Sequence, residues 1–299
     1  MDGMGQRLFR ADFSIRCRTV LKTPSVNNFD DDGPIVLSQS RSQDLLMYLV
    51  AVKSLARFVR PKSFILVDDG FTENDRRIIN DHLVKVLFID RRSLKSKFCP
   101  VGGTWERLLA IADLSKEGYI IQLDSDIVVC KEPVEVVSAI DSRSSFTLPT
   151  KSGRNFVSLE RAAAIAAESP GDHVQDDAER ALSKIGSLHG TSYIRGCSGF
   201  AGFARGSLKR EDLEAFSATM ESEIGASVWS KWGSEQVASN FFIANSATKM
   251  TLPFERYPYF DPHVDLAEAC LVHFMGSHRF QSLKYRQMAV RAISNFQKG

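Results

Sequence analysis

Residues 119–129 read Tyr119-Ile120-Ile121-Gln122-Leu123-Asp124-Ser125-Asp126-Ile127-Val128-Val129. A short apolar run stops at two carboxylates one residue apart, and a second apolar run follows. Working back toward the N-terminus, the same alternation repeats. Pro34–Ser38, Ser63–Val67 and Val84–Ile89 are apolar runs of strand length, and Tyr119–Leu123 makes a fourth. Between them, Gln43–Phe58, Glu73–Leu83 and Thr104–Leu114 carry helical periodicity; in the first of these Leu45, Leu46, Leu49, Val52 and Leu55 recur on one face. Continuous apolar strands separated by helices predict the α/β class, with a mostly parallel central sheet flanked by helices. In such sheets ligands gather beyond the carboxyl ends of the strands. That rule selects Ser38–Arg41, Asp68–Asp69 and Asp124–Asp126 as one neighbourhood.

Around this frame the chain is less regular. Residues 1–33 read as an irregular lead-in ending in the turn-like run Asp30-Asp31-Asp32-Gly33-Pro34. Residues 151–190 are rich in Ala, Ser and charge, are broken by Pro170-Gly171, and read as two short helices in an insertion. Gly199–Ala204 predicts a strand, Lys209–Ile224 and Ser234–Ala244 helices, Ala269–His273 a short strand, and Ser282–Phe296 a closing amphipathic helix.

Composition narrows the functional classes. The 38 basic and 36 acidic side chains leave a net charge of +2, which gives no electrostatic case for nucleic acid. The five cysteines, Cys17, Cys99, Cys130, Cys197 and Cys270, show no C-x-x-C pair, so neither a zinc site nor a disulfide framework is expected. Reduced thiols point to the cytoplasm. The stretch Met1–Thr23 is rich in Arg, lacks the apolar core of a secretory signal, and precedes no window apolar enough to span a bilayer. Peripheral membrane association is the most that is expected.

Asp124 and Asp126 in a turn between apolar runs are costly unless something neutralises them. Mn²⁺ or Mg²⁺ would do so, since both prefer oxygen ligands and leave positions for substrate phosphates. A capped turn is the competing reading. Spacing alone decides little, because one chance D-x-D is expected in a chain of this size; Asp30–Asp32 is read as such a decoy.

The stretch Trp105-Glu106-Arg107-Leu108-Leu109, followed by Ile121–Val129, resembles the GT-A glycosyltransferases, whose D-x-D motif ends a strand behind an Arg-bearing helix. Family 8, the glycogenin and galactosyltransferase-like group, is the nearest likeness. Lys131-Glu132-Pro133-Val134-Glu135 matches its acidic, Pro-containing helix start. The resemblance implies a GT-A domain over residues 34–299, with a Rossmann-like nucleotide-binding half (34–135) and an acceptor-side half (136–299) holding the 151–190 insertion.

The likeness also implies a site. Leu271–Phe280 resembles the C-terminal H-x-x-G-x-x-K-P-W signature, so His273 becomes the third metal ligand beside Asp124 and Asp126. Gly276 then allows close approach of the diphosphate, and Arg279 replaces a phosphate-binding Lys. Phe280 and Gln281 depart from the family's Pro-Trp. The segment Gly196–Phe203 resembles the sugar-pocket strand, with Ser198 in place of the usual Asn neighbourhood. Trp232-Gly233-Ser234-Glu235-Gln236 resembles the D-Q helix start, where Glu235 and Gln236 would face the transferred sugar and Ser234 would cap the helix. Val67-Asp68-Asp69-Gly70 is similar to the D-D-G turn of family 2 transferases, in which an Asp reads the nucleobase; Ser38, Arg41 and Ser125 would lie beside it. Arg107 corresponds to the Arg that bridges acidic motif and donor.

The implied activity is transfer of a sugar from a nucleotide diphosphate sugar, a UDP-sugar by the family 8 likeness, to a glycan, lipid-linked or small-molecule hydroxyl, with retention. Two alternatives stand beside it. Asp124–Val128 also fits the D-x-D-x-V opening of haloacid-dehalogenase-type phosphatases, although that motif belongs on a first strand and three strands precede it here. A non-catalytic relic that binds a nucleotide sugar or glycan is the other.

Overall fold

A computed structural model describes residues 3–168, 171–185 and 191–296. Pro170, one half of the expected break in the insertion, lies outside the described residues. The chain opens with helix α1 (Gly3–Cys17), followed by strand β1 (Ile35–Ser40), helix α2 (Leu45–Ala56), β2 (Ser63–Asp68), α3 (Glu73–His82) and β3 (Val86–Asp90). Next come α4 (Trp105–Leu114), β4 (Ile120–Leu123), β5 (Ile127–Val129), α5 (Val134–Asp141), β6 (Ser145–Leu148), β7 (Val157–Ser158), α6 (Leu159–Glu168) and α7 (Val174–Ala181). The last elements are β8 (Ser192–Tyr193), β9 (Cys197–Phe203), α8 (Arg210–Ile224), α9 (Ala226–Trp229), α10 (Ser234–Ala244), β10 (Lys249–Thr251), β11 (Leu271–His273) and α11 (Lys284–Phe296). The central, mostly parallel sheet has seven strands in the order β10-β6-β9-β4-β1-β2-β3. This is the α/β class that the strand–helix alternation predicted.

The chain divides into two compact units, one of residues 1–89, 121–138 and 253–299, the other of 90–120 and 139–252. The expected halves, 34–135 and 136–299, cut the sequence once, whereas the first unit is assembled from three separate stretches.

In the first unit β1 and β2 pair in parallel with Ile35 opposite Ser63 and Ser40 opposite Asp68. Gly33 leads into β1 where a Cβ would collide with the Arg60 carbonyl, so the turn after Asp30 admits glycine alone. Helix α2 is apolar on nearly every side, and Leu45, Met47 and the run Leu49–Val52 are all buried. Helix α3 is held at its start by a capping box: Thr72 Oγ1 accepts from Asp75 N at 3.1 Å, and the Asp75 carboxylate accepts from Thr72 N at 2.9 Å.

Residues 3–17 are helical, which corrects the irregular lead-in expected for 1–33. The inward positions of α1 and the turn after it are Phe13, Cys17 and Val20, at helical spacing. Leu8 and Ile15 point outward at 64% and 71% exposure, which breaks the apparent periodicity in the sequence. Packing rather than propensity secures this helix: the Phe13 ring lies 4.4 Å from that of Tyr285, and Arg286 donates to Asp12 at 2.9 Å.

His82 ends α3 in a buried position, and its Nδ1 has no hydrogen-bond partner among the described residues. Burial first, then the charge of Lys53, against a smaller opposing effect of Asp81, pushes its pKa down to about 4. The unfolded chain therefore takes up this proton first. Stability is complete above pH ~6.5 and declines as pH falls toward ~4, by about 1–2 kcal/mol after discounting for solvent screening. Denaturant midpoints at pH 7 and pH 5 should fall further apart in the wild type than in a His82→Gln variant; equal spacing would refute the assignment.

The second unit carries β10, β6 and β9, with β10 parallel and β9 antiparallel to β6. Helices α6 and α7 lie in the 151–190 insertion, where the pattern predicted two short helices. Helix α10 covers Ser234–Ala244 as expected, but Ser234 is not its cap. Gly233 stands in the capping position with φ +104°, and Ser234 Oγ instead accepts from Trp105 Nε1 at 2.8 Å. Glycine's freedom at positive φ makes that entry possible, leaving the Ser234 hydroxyl to satisfy a buried indole.

Candidate metal centre and its surroundings

Strand β4 is fully buried and ends at Leu123, so Asp124-Ser125-Asp126 forms the turn into β5. Strand β5 pairs antiparallel with β11, setting Val128 opposite Val272 and Ile127 opposite His273. This register brings a residue from near the C-terminus against the acidic turn. His273 Nε2 lies 3.1 Å from Asp126 Oδ1 and 3.7 Å from Asp124 Oδ2. One ligand atom from each of the three residues falls within 4.8 Å of the others. The turn is braced: Phe274 N donates to Asp126 O at 2.9 Å, and Ser125 Oγ donates to Ser40 Oγ at 3.0 Å. Tyr285 Oη reaches Ser125 O at 3.4 Å.

Asp126 and His273 are buried, while the Asp124 side chain is 29% exposed. Burial alone would raise the Asp126 carboxyl, but His273 and the Arg279 guanidinium outweigh it and hold the group down at about 2. Arg279 grips Asp126 Oδ2 and also donates through Nε to Phe274 O at 3.1 Å. Two carboxylates and an imidazole suit a divalent cation. Ligands about 2.1 Å from one ion at right angles stand about 3.0 Å apart, which is the scale of the 3.1 Å separation here. The spacing, like the donor set, therefore fits a divalent cation.

The other expected residues of the first unit fall into place unevenly. Gly276 has φ +55°, is exposed, and has open space where a Cβ would stand. Ser38 Oγ is buried and has no partner among the described residues, two positions before Ser40 on the same face of β1. Asp68 is committed elsewhere: Oδ1 accepts from Gly70 N at 2.9 Å and Phe71 N at 2.8 Å, and Oδ2 accepts from Arg76 Nε at 2.8 Å. Its neighbour Asp69 is half-buried, with its N–H donated to Ser40 O at 3.0 Å. Arg41 is exposed and pairs with Asp44 at 3.4 Å.

Arg107, Ser198, Glu235 and Gln236 belong to the second unit. The Arg107 guanidinium and the Glu235 carboxylate are both almost fully buried and pair at 3.4 Å. Glu235 Oε2 also accepts from Thr104 Oγ1 at 3.1 Å and Ser198 Oγ at 3.2 Å. The resemblance has Glu235 facing the transferred sugar and Arg107 bridging the acidic motif and the donor; in the structure the two side chains pair with one another in the interior. The motif specified residue type and helix position, not burial. Gln236 is half-buried; its Oε1 accepts from Ser198 N at 3.1 Å and its Nε2 donates to Gln175 Oε1 at 3.0 Å.

Several contributors were invisible in the sequence. Phe274, one residue past β11, and Tyr285, in α11, brace the acidic turn, and no local pattern marks that role. Ser40, by contrast, lies inside the Ser38–Arg41 stretch that the strand-end rule selects.

No protein-family model and no curated protein sequence matches the chain. Solved structures do. The chain is similar to the WbbM bifunctional glycosyltransferase, with 16% identity, 91% of this chain covered and a TM-score of 0.55. It is also similar to the glycosyltransferase GlyE of Streptococcus pneumoniae TIGR4, with 11% identity, 89% covered and a TM-score of 0.53. This is the GT-A glycosyltransferase fold. The chain spans 51% of the length of the first and 62% of the second. In this fold the acidic turn follows the fourth strand, β4, whereas the phosphatase alternative needs its nucleophile on the first.

Proposed function

We propose that the chain is a metal-dependent glycosyltransferase that moves a sugar from a nucleotide diphosphate sugar, a UDP-sugar, to a glycan, lipid-linked or small-molecule hydroxyl, with retention. The observation that carries this is the convergence of Asp124, Asp126 and His273 at the tip of a central strand of a GT-A sheet. Mn²⁺ or Mg²⁺ held there would offset negative charge on the diphosphate leaving group. Gly276 presents backbone at a positive φ with no side chain in the way, which lets phosphate oxygens approach closely. Arg279 adds a fixed positive charge beside Asp126. Asp69, Ser38 and Arg41 are assigned to the nucleoside, with Asp69 rather than Asp68 as acceptor for a base N–H, because Asp68 is saturated by its own turn and Arg76. Gln236 is assigned to the transferred sugar, and Glu235, Arg107 and Ser198 to holding the segment that bears it. No described helix is long and apolar enough to cross a membrane.

The test uses the whole chain with Mn²⁺, a panel of UDP-sugars and simple sugar acceptors, reading UDP release. Release that depends on Mn²⁺ and stops with EDTA is expected, with the anomeric configuration of the product retained by NMR. Donor binding without turnover would favour the non-catalytic relic. No thermal shift with Mn²⁺ and any nucleotide sugar, together with no UDP release, would defeat the proposal.

A further inference from the structure

In the second unit a chain of hydrogen bonds links α7 to the start of α10. Gln236 Nε2 donates to Gln175 Oε1 at 3.0 Å, and Gln175 Nε2 donates to Glu179 Oε1 at 2.9 Å. Tyr193 Oη donates to the same Glu179 oxygen at 2.9 Å. Glu179 Oε2 is gripped by Arg195, which also holds Asp176 at 2.7 Å. Glu179 and Gln175 are both buried.

We propose that Glu179 is a positioning residue whose carboxylate, acting through Gln175, fixes which way the Gln236 amide points. Its consequence for catalysis rests on the assignment of Gln236 to the transferred sugar. Hydrogen-bond polarity fixes the orientation. A carboxylate facing two donors and an arginine only accepts, so Gln175 must turn its NH₂ toward Glu179 and its carbonyl toward Gln236. That carbonyl only accepts, so Gln236 must turn its NH₂ toward Gln175. At the other end the Ser198 N–H only donates, at 3.1 Å, and requires the Gln236 carbonyl. If Gln236 flipped alone, oxygen would face oxygen at Gln175 and N–H would face N–H at Ser198. If both amides flipped, Gln175 would set its carbonyl against the Glu179 carboxylate. Every alternative leaves buried polar groups opposed, so one orientation persists. In it the Gln236 carbonyl keeps a second lone pair beyond the Ser198 bond, and this is the atom that can face electron-poor carbon on a sugar. Helix α7 lies in the 151–190 insertion, so this chain's own inserted segment sets the polarity of the residue that its family-like motif supplies.

The experiment compares the full chain with Gln175→Met and Glu179→Gln variants. Gln175→Met removes the relay and leaves the Glu179–Arg195 pair intact, which guards against misfolding of the Glu179 variant. The first reading is the Gln236 side-chain NH₂ signal in a ¹⁵N-glutamine-labelled sample. The wild type should show two well-resolved, slowly exchanging protons, and both variants should lose this protection. The second reading is transfer kinetics, with kcat falling on the order of 10-fold or more and the donor KM unchanged. A purely structural role would lower the melting temperature and leave the Gln236 signal in place. An unaltered Gln236 signal in both variants overturns the inference, as does an altered signal with wild-type kcat. If the wild type itself turns over no donor, the glycosyltransferase reading fails, and the amide signal alone decides whether Glu179 sets the orientation.

Discussion

Replacing Asp124 or Asp126 with Asn should lower sugar transfer by about 10²–10³-fold or more, the scale of losing one preorganised charge-stabilising group at a reacting centre. The two variants should differ in stability. The Asp124 side chain is 29% exposed and lies 3.7 Å from His273, so Asp124→Asn should fold nearly as well as the wild type. Asp126 is buried between His273 and Arg279. Asp126→Asn leaves the Arg279 guanidinium facing a neutral amide, so its loss of activity should come with a fall in melting temperature. Thermal melts and UDP-release assays on both variants check this. Full activity in Asp124→Asn would remove that residue from the site.

The second large effect is on stability. Arg107→Met should destabilise the chain by about 3–5 kcal/mol, because it strands the buried Glu235 carboxylate without its counter-charge. The same substitution made together with Glu235→Leu should cost less than Arg107→Met alone, since no uncompensated charge then remains. Denaturant titration of the two variants gives the comparison. A single variant within about 1 kcal/mol of wild type would show that the pair carries little of the interior.

These two predictions mark how far the sequence could be read. The strands at 35–40, 63–68 and 120–123 were legible because each is a continuous apolar run between turn residues, the pattern of a sheet covered on both faces. The acidic turn was legible for the same reason, since its cost is evident from the apolar runs beside it. His273 was accessible only through resemblance. What puts it beside Asp126 is the pairing of β5 with β11, a long-range register that local periodicity does not contain. Helix α1 was missed because Leu8 and Ile15 face outward and hide the inward stripe of Phe13, Cys17 and Val20. Glu235 and Asp68 show the opposite limit. Their motifs named the right residue types, but only folding reveals that one is enclosed with Arg107 and the other committed to Gly70, Phe71 and Arg76. The Glu179 relay lies on an inserted helix with no counterpart in the resemblance, so no motif pointed to it.

Sugar transfer by this chain would depend above all on one cation held by Asp124, Asp126 and His273. Calorimetric titration of Mn²⁺ into the chain in the presence of UDP addresses it directly, with a His273→Ala variant shown by circular dichroism to be folded. One saturable ion per chain is expected for the wild type, with affinity weakened by on the order of 100-fold in His273→Ala. Equal affinity in the two proteins, or no saturable binding in the wild type, would contradict it.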